Sequence, residues 1–266
     1  MPIMRTRRRF LGNGLGLGFA FAGLGGAVFA QGDVPVVAAA SDLQFALPDI
    51  AAAFTAETGQ MVRLTFGSTG NFARQIRAGA PFQMYLAADE SYVHALTADG
   101  FTRDAGTLYA LGRIVMIVPN GGAVLADGTF EGLRAALAAG QISRFALANP
   151  DHAPYGLRAM QALQHQGLWQ ALQPYLVLGE NVSQAAQFAL SGSTQGGIIA
   201  YSLALSDRIS SRGRFALIPA EFHTPLNQRM VLLRKAGLVA EAFYAYMNGP
   251  AAQKIMGQYG FALPEG

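Results

Sequence analysis

The 266-residue sequence contains no cysteine, which excludes disulfide bonds, thiolate metal ligands and thiol nucleophiles. Only 13% of the residues are charged and 52% are hydrophobic, so the chain can bury a sizeable core in one large domain or two lobes. Without residues 1–30, the chain has no excess of basic residues. Residues 1–30 hold four of the 19 basic residues and no acid, which leaves 15 basic against 16 acidic residues. This balance does not favour nucleic acid as a partner.

The first 30 residues are typical of a twin-arginine export signal. The motif TRRRFL occupies residues 6–11, and a segment rich in Gly, Ala, Leu and Phe follows to about Ala27. This segment is Gly-rich and interrupted by Asn13, so it matches poorly to a transmembrane anchor of about 20 strongly apolar residues. We expect cleavage after Ala30 and a mature protein in the periplasm. No spanning segment is predicted beyond residue 31.

Strand and helix patterns alternate along the rest of the chain. The apolar run at 34–40 and the stretches 61–66 and 82–87 predict strands, and each is followed by a polar junction and a helix pattern. This order predicts an α/β lobe with a mostly parallel sheet flanked by helices. Pro48 lies inside the first helix pattern, where it predicts a kink or two short helical pieces.

A second β/α set follows the chain breaker at residues 119–122 (PNGG) and contains predicted strands at 145–148, 176–178 and 197–201. The strand pattern before that breaker and the one at 225–233 are interpreted as two crossings between lobes. We therefore expect lobe 1 to comprise residues 31–112 plus 228–266 and lobe 2 to comprise residues 113–227. The expected hinge lies near Arg113 and Gln228.

Four strand-to-helix junctions share an arrangement that suits a small anion. A helix start offers unpaired N–H groups and the positive end of the helix dipole. In doubly wound sheets, ligands bind beyond the carboxyl ends of the strands. No junction contains Lys or Arg, so N–H groups and hydroxyls would have to hold the anion. For any one junction alone, the alternative is an ordinary N-cap. The junctions are Ser41-Asp42, Ser68-Thr69, Ala153-Pro154-Tyr155 and Glu180-Asn181-Val182.

At these junctions the sequence resembles the periplasmic molybdate-binding proteins of ABC transporters. The resemblance extends from about residue 36 to the C-terminus. The matching segments are 37–43 (VAAASDL), 66–70 (FGSTG), 74–76 (RQI), 79–81 (GAP), 88–90 (ADE), 149–156 (NPDHAPYG), 180–182 (ENV), 249–252 (GPAA) and 259–261 (YGF).

The resemblance implies a two-lobe periplasmic binding protein with its ligand in the interlobe cleft. It implies a monomer without cofactor or enzymatic activity, which captures molybdate or tungstate and delivers it to an ABC permease. Ser41, Thr69, Tyr155 and Val182 would hold the oxyanion, with no direct metal-ion ligand. Tyr201 ranks below Tyr155, because it stands one position later than the family's tyrosine after the late strand. The implied ligand-binding residues are Ser41, Asp42, Ser68, Thr69, Tyr155 and Val182.

Asp42 fits an oxyanion site least well. A carboxylate facing a dianion repels it, so we expect this side chain to cap the following helix and to leave its main-chain N–H for the ligand. An inward-facing Asp42 would weaken the oxyanion assignment or require the ligand to be bound in a protonated form.

Other functions remain open on the sequence alone. A serine-dependent hydrolase using Ser41, Ser68 or Thr69 needs a base within reach, and His152 is the one histidine in a predicted cleft loop. No Gly-x-Ser-x-Gly elbow surrounds these serines, and no histidine pair has the spacing of zinc ligands. The same fold could instead bind sulfate or another small ligand, or serve a sensory or scaffolding role.

Overall fold

A computed structural model describes residues 34–263, so the predicted signal peptide at residues 1–30 lies outside the described residues. Within 34–263, strands and helices alternate. The strands are β1 (Val36–Ala40), β2 (Arg63–Gly67), β3 (Phe82–Ala87), β4 (Thr107–Gly112), β5 (Ile114–Pro119), β6 (Phe145–Ala148), β7 (Leu176–Gly179), β8 (Gly197–Ala200), β9 (Gly213–Leu217) and β10 (Leu226–Leu232). The helices are α1 (Ala46–Thr58), α2 (Thr69–Arg77), α3 (Glu90–Ala98), α4 (Glu131–Ala138), α5 (Pro154–His165), α6 (Trp169–Leu172), α7 (Val182–Ala189), α8 (Tyr201–Ala204), α9 (Asp207–Ser210), α10 (Leu238–Met247) and α11 (Pro250–Gln258). Short 3-10 turns lie at Ser41–Leu43, Gln173–Tyr175 and Ala220–Phe222.

The strands form two five-stranded sheets with the same plan. Sheet 1 has the order β2-β1-β3-β10-β4, and sheet 2 has the order β7-β6-β8-β5-β9. In each sheet, four strands run in one direction and the fourth in that order, β10 or β5, runs against them. The predicted mostly parallel sheets are therefore confirmed. We call sheet 1 with its flanking helices lobe 1, and sheet 2 with its helices lobe 2.

The chain passes between the sheets twice. Arg113 alone separates β4 in sheet 1 from β5 in sheet 2, and residues 218–225 connect β9 back to β10. Leu226, the first residue of β10, already pairs with Gly112 in sheet 1. The C-terminal helices α10 and α11 then pack against α1 of lobe 1. Among residues 34–263, no helix combines the length and apolar character that a membrane crossing requires.

Alternation along the buried strand β1 shows that sheet 1 is covered on both faces. Val37 and Ala39 pack into the core that α1, α10 and α11 share. Ala38 points to the opposite face, where it joins the core under α2 and α3. A strand covered on both sides has no solvent face, which explains the continuous apolar run that predicted it.

Pro48 does not kink a helix. The 3-10 turn at Ser41–Leu43 ends before α1 begins at Ala46, so Pro48 falls in the first helical turn, where its missing N–H needs no partner. The chain does form two helical pieces here, as expected, but the break precedes Pro48.

Candidate functional site

Four helical starts meet at one small cavity between the lobes. The 3-10 turn after β1 and helix α2 reach it from lobe 1, and helices α5 and α7 reach it from lobe 2. The space that a water-sized sphere can occupy in this cavity is about 10 Å³. Pockets for organic ligands measure roughly 300–1,000 Å³, so this cavity suits a small ion better. All six residues that the sequence predicted for the site line it: Ser41, Asp42, Ser68, Thr69, Tyr155 and Val182.

Two of the lining hydroxyls keep their hydrogen atoms available. Ser41 Oγ accepts a hydrogen bond from the Ser183 N–H at 3.3 Å, and Thr69 Oγ1 accepts one from the Ala88 N–H at 3.1 Å. Within the described part of the chain, neither hydroxyl donates to a protein acceptor. Each is therefore held in place as an acceptor and can donate its own hydrogen to an anion.

Ser68 differs, because its hydroxyl hydrogen is engaged across the lobes. Ser68 caps α2 by accepting from the Asn71 N–H at 3.4 Å, and its Oγ donates to the main-chain oxygen of His152 at 2.7 Å. The same oxygen accepts from the Gly70 N–H at 2.9 Å. A side-chain bond from Asn71 to Glu180 adds to this contact at 3.2 Å. Ser68 and its neighbours therefore connect lobe 1 to lobe 2 beside the cavity.

The pair Ser68 and His152 has the composition of a nucleophile and a base. Ser68 Oγ lies 2.8 Å from His152 Nδ1, and Glu180 Oε2 lies 3.7 Å from the other ring nitrogen. A general base must accept the hydroxyl hydrogen. The Ser68 hydroxyl has one hydrogen, and both His152 Nδ1 and the His152 main-chain oxygen lie within its reach, so the histidine tautomer decides which of them accepts it. With either tautomer, the pair connects the two lobes beside the cavity.

The expected cap role of Asp42 is wrong. The 3-10 turn has no side-chain cap, and Asp42 instead accepts from the Tyr155 hydroxyl at 2.9 Å and from Gln228 Nε2 at 2.7 Å. Both bonds end on Oδ2, and Asp42 is only 1% exposed. The two partners outcompete a local cap because they bring donors from α5 and β10 into a dry environment.

The surroundings of Asp42 favour its neutral form. Burial raises the pKa of the Asp42 carboxyl to about 6, although the hydrogen bonds from Gln228 and Tyr155 lower it. Burial and the charge of Asp42 hold the pKa of the Tyr155 hydroxyl well above its ordinary value. Among residues 34–263, Asp42 Oδ1 is a buried side-chain oxygen without a hydrogen-bond partner.

Gln228 and Tyr109 belong to the site, although the sequence analysis gave neither a binding role. Gln228 is fully buried, donates to both Asp42 and Tyr155, and accepts from the Tyr109 hydroxyl at 2.7 Å. Along β10, Gln228 stands two residues after the buried Leu226 and two residues before the buried Met230. A polar residue at a core position of a strand was the signal that could have identified it.

Main-chain groups contribute from lobe 2. Asn181 caps α7 by accepting from the Gln184 N–H at 3.0 Å, which places Val182 at the first helical position. An N–H at that position has no partner within its own helix. Tyr155 occupies the first turn of α5 after Pro154. Tyr201 does not line the cavity, and its ring packs against Phe215 instead.

Among the residues that the structure describes, the cavity wall has no Lys, Arg or His, and Asp42 is its one carboxylate. The buried Arg158 of α5 pairs with Asp89 of lobe 1 at 2.5 Å, so its charge is neutralised outside the lining. An anion in this cavity must therefore be held by N–H groups, hydroxyls and helix dipoles.

Two α/β lobes joined by two crossings, with helix starts around a small polar cavity, define a periplasmic-type solute-binding protein. The chain belongs to the bacterial extracellular solute-binding protein family, whose family model matches residues 35–262. The molybdate-binding protein ModA of Azotobacter vinelandii is 34% identical over 236 residues, which cover 85% of this chain and 89% of ModA. ModA of Rhodobacter capsulatus is 31% identical over 235 residues, which cover 87% of this chain and 89% of that protein.

Solved structures agree with this assignment. The periplasmic molybdate-binding protein of Azotobacter vinelandii superposes with a TM-score of 0.77 at 29% identity, over 87% of this chain and all of that one. The sulfate-binding protein SubI of Mycobacterium tuberculosis H37Rv shares the fold, with a TM-score of 0.70 at 16% identity over 87% of each chain. The family resemblance and the two-lobe fold predicted from the sequence are confirmed.

Proposed function

We propose that the protein captures molybdate in the periplasm and delivers it to an ABC permease. The observation that carries this proposal is the convergence of four helical starts on one small cavity without a positive side chain. The similarity to the ModA proteins supports molybdate among the tetrahedral oxyanions. Tungstate has the same charge and shape and would occupy the same cavity.

The ligand is held by neutral donors. The hydroxyls of Ser41 and Thr69 donate to ligand oxygens, and the Val182 N–H adds a donor from lobe 2. Ligand docks on one lobe, and rotation of the other lobe completes the shell. Selectivity over sulfate comes from cavity size, since sulfate has the same charge and shape. The function is capture and release, with no bond of the ligand made or broken.

We also propose an export route, an oligomeric state and bounds for the two lobes. Residues 1–30 direct export by the twin-arginine route, and the mature protein acts as a monomer. Lobe 1 comprises residues 31–112 and the C-terminal part, and lobe 2 lies between them. The strand order supports a first limit at Arg113, and the pairing of Leu226 in sheet 1 supports placing the second limit at Pro225 rather than at residue 227.

Calorimetric titration of residues 31–266 with molybdate, tungstate, sulfate and phosphate tests the proposal. We expect one-to-one binding of molybdate and tungstate and no heat from sulfate or phosphate. Silence for all four ions would overturn it, and binding of sulfate alone would assign the cavity to another oxyanion. Uptake of molybdate by cells that lack and then regain this protein separates transport from a sensory role.

A further inference from the structure

Asp42 is the one carboxylate in a cavity whose other features suit an anion. Its side chain lies in the interlobe wall and is buried, with both protein donors on Oδ2. In the described part of the chain, no other residue donates a hydrogen bond to Oδ1, and the only further donor near this carboxyl is its own main-chain N–H. An oxygen buried in this way either carries a proton or meets a group that the protein itself does not supply.

We propose that Asp42 is a specificity-determining residue that makes oxyanion binding depend on a proton. The site binds a dianion with uptake of one proton by Asp42, whose Oδ1–H then donates to a ligand oxygen. The inference rests on the proposed function, because it requires an oxyanion in the cavity.

The arrangement of hydrogen bonds fixes which oxygen takes the proton. Oδ2 already accepts from two donors, the Tyr155 hydroxyl and Gln228 Nε2, so it stays an acceptor. A proton on Oδ1 leaves both bonds in place and turns the unpartnered oxygen into a donor. The same proton removes the repulsion between a carboxylate and a dianion in a site of low dielectric.

Among residues 34–263, no other ionisable group around Asp42 can take up the proton in its place. The titratable side chains that face it are the phenols of Tyr155 and Tyr109, and burial keeps the pKa of both well above the ordinary value. Within residues 34–263, no Lys, Arg or His side chain forms a hydrogen bond or ion pair with Asp42. The other titratable residues of the packed elements β2, α5, α8 and β10 are engaged or exposed elsewhere: Arg63 in solvent, Arg158 on Asp89, His165 on Phe222, Tyr201 on Phe215 and Arg229 on Glu90.

Asp42 can take up a proton from solution near neutral pH when the ligand binds. Burial raises the pKa of Asp42 to about 6, so a modest free energy of ligand binding suffices to protonate it at neutral pH. Affinity must then fall as pH rises, because fewer unliganded molecules carry the proton. An oxyanion site built from neutral donors alone has no such dependence.

Titration calorimetry with molybdate tests this inference directly. The mature protein is titrated at about pH 7.5 in two buffers of different ionisation enthalpy, and its affinity is then followed from about pH 6.5 to about pH 8.5. We expect uptake of about one proton per molybdate and a Kd that rises about tenfold per pH unit above the pKa of Asp42. Asp42→Asn should abolish both effects, because the amide does not titrate. The matched control Asp99→Asn alters a surface carboxylate paired with Arg77 and should keep both.

The outcomes separate this inference from the proposed function. Binding of molybdate without proton uptake and with a flat pH profile would overturn the role of Asp42 and leave the proposed function standing. A slope retained in Asp42→Asn would also overturn it. Failure of the wild-type protein to bind molybdate at every pH would overturn both. The wild-type measurements decide the matter even when the variant does not fold.

Discussion

The hydroxyl of Tyr155 in lobe 2 donates a hydrogen bond to Asp42 Oδ2 in lobe 1 over 2.9 Å, although 113 residues separate them in the chain. Both residues line the cavity. The bond therefore connects the two lobes and, at the same time, occupies the hydrogen that the phenol could give to a ligand. Gly112 makes room for this contact, since a Cβ there would lie 2.5 Å from the Tyr155 oxygen.

Tyr155→Phe should lower the free energy of unfolding by about 1–2 kcal/mol, because it deletes a buried hydrogen bond while the ring is kept. It should also raise the pKa of Asp42, since one of the bonds that lower it is lost. Urea unfolding gives the first quantity. Tyr175→Phe, at a partly exposed tyrosine in a 3-10 turn, should change stability little. Equal losses in both variants would contradict this view of the interlobe bond.

Thr69→Val should weaken molybdate binding by about 10- to 100-fold, because it removes a donor to the ligand while the shape is kept. The change also leaves the Ala88 N–H without its acceptor. Thr55→Val is the matched control, since that hydroxyl bonds only to the Ala51 carbonyl on α1. Wild-type affinity in Thr69→Val, measured by calorimetry, would remove Thr69 from the site.

Asp42→Asn should stabilise the unliganded protein increasingly between about pH 4 and pH 6, and by the full amount above about pH 6. The folded pKa of about 6 exceeds the unperturbed 3.8, so the native state holds the proton more tightly than the unfolded chain. Stability from this group is therefore complete below about pH 4 and is lost as pH rises to about 6. The variant should gain up to about 3 kcal/mol over wild type at pH 8 and nothing at pH 4. Urea unfolding at both pH values checks the sign, and a gain that did not change with pH would contradict it.

Gly70→Ala should weaken ligand binding by about 10- to 100-fold by preventing close approach of the lobes. A Cβ at Gly70 would lie 2.8 Å from the main-chain oxygen of His152. Gly257→Ala provides the control, because Gly257 is also helical and a Cβ there meets nothing within 4 Å. That control should gain about 0.5–1 kcal/mol of stability from helix propensity and keep wild-type affinity. Small-angle scattering with ligand should give a larger radius of gyration for Gly70→Ala.

The parts of the fold that the sequence predicted are those set by local rules. Phe82–Ala87 and Phe145–Ala148 form strands at the predicted positions because they are short apolar stretches, interrupted only by Gln83, that are bounded by turn residues. Gly59 ends α1 in the left-handed conformation, and Asp89 caps α3. Strands β4 and β9 had no such signal, since both depend on pairing with the reversed strands β10 and β5.

The residues of the site also separate into those that local sequence rules predict and those that depend on long-range contacts. The junctions around Ser41, Thr69 and Val182 follow from helix starts at strand ends, a local pattern with a known location in doubly wound sheets. The orientation of Asp42 could not be predicted, because its partners Tyr155 and Gln228 stand 113 and 186 residues away. Its side chain turns inward only because the folded lobes place two donors beside it.

The unequal lengths of the two crossings restrict how the lobes can move. One residue, Arg113, links β4 to β5, whereas residues 218–225 link β9 to β10. A single residue offers two soft backbone dihedrals, so the sheets cannot slide apart at that edge. We expect the lobes to open by rotation about the two backbone dihedrals of Arg113, and residues 218–225 to follow that rotation through smaller changes spread over several residues.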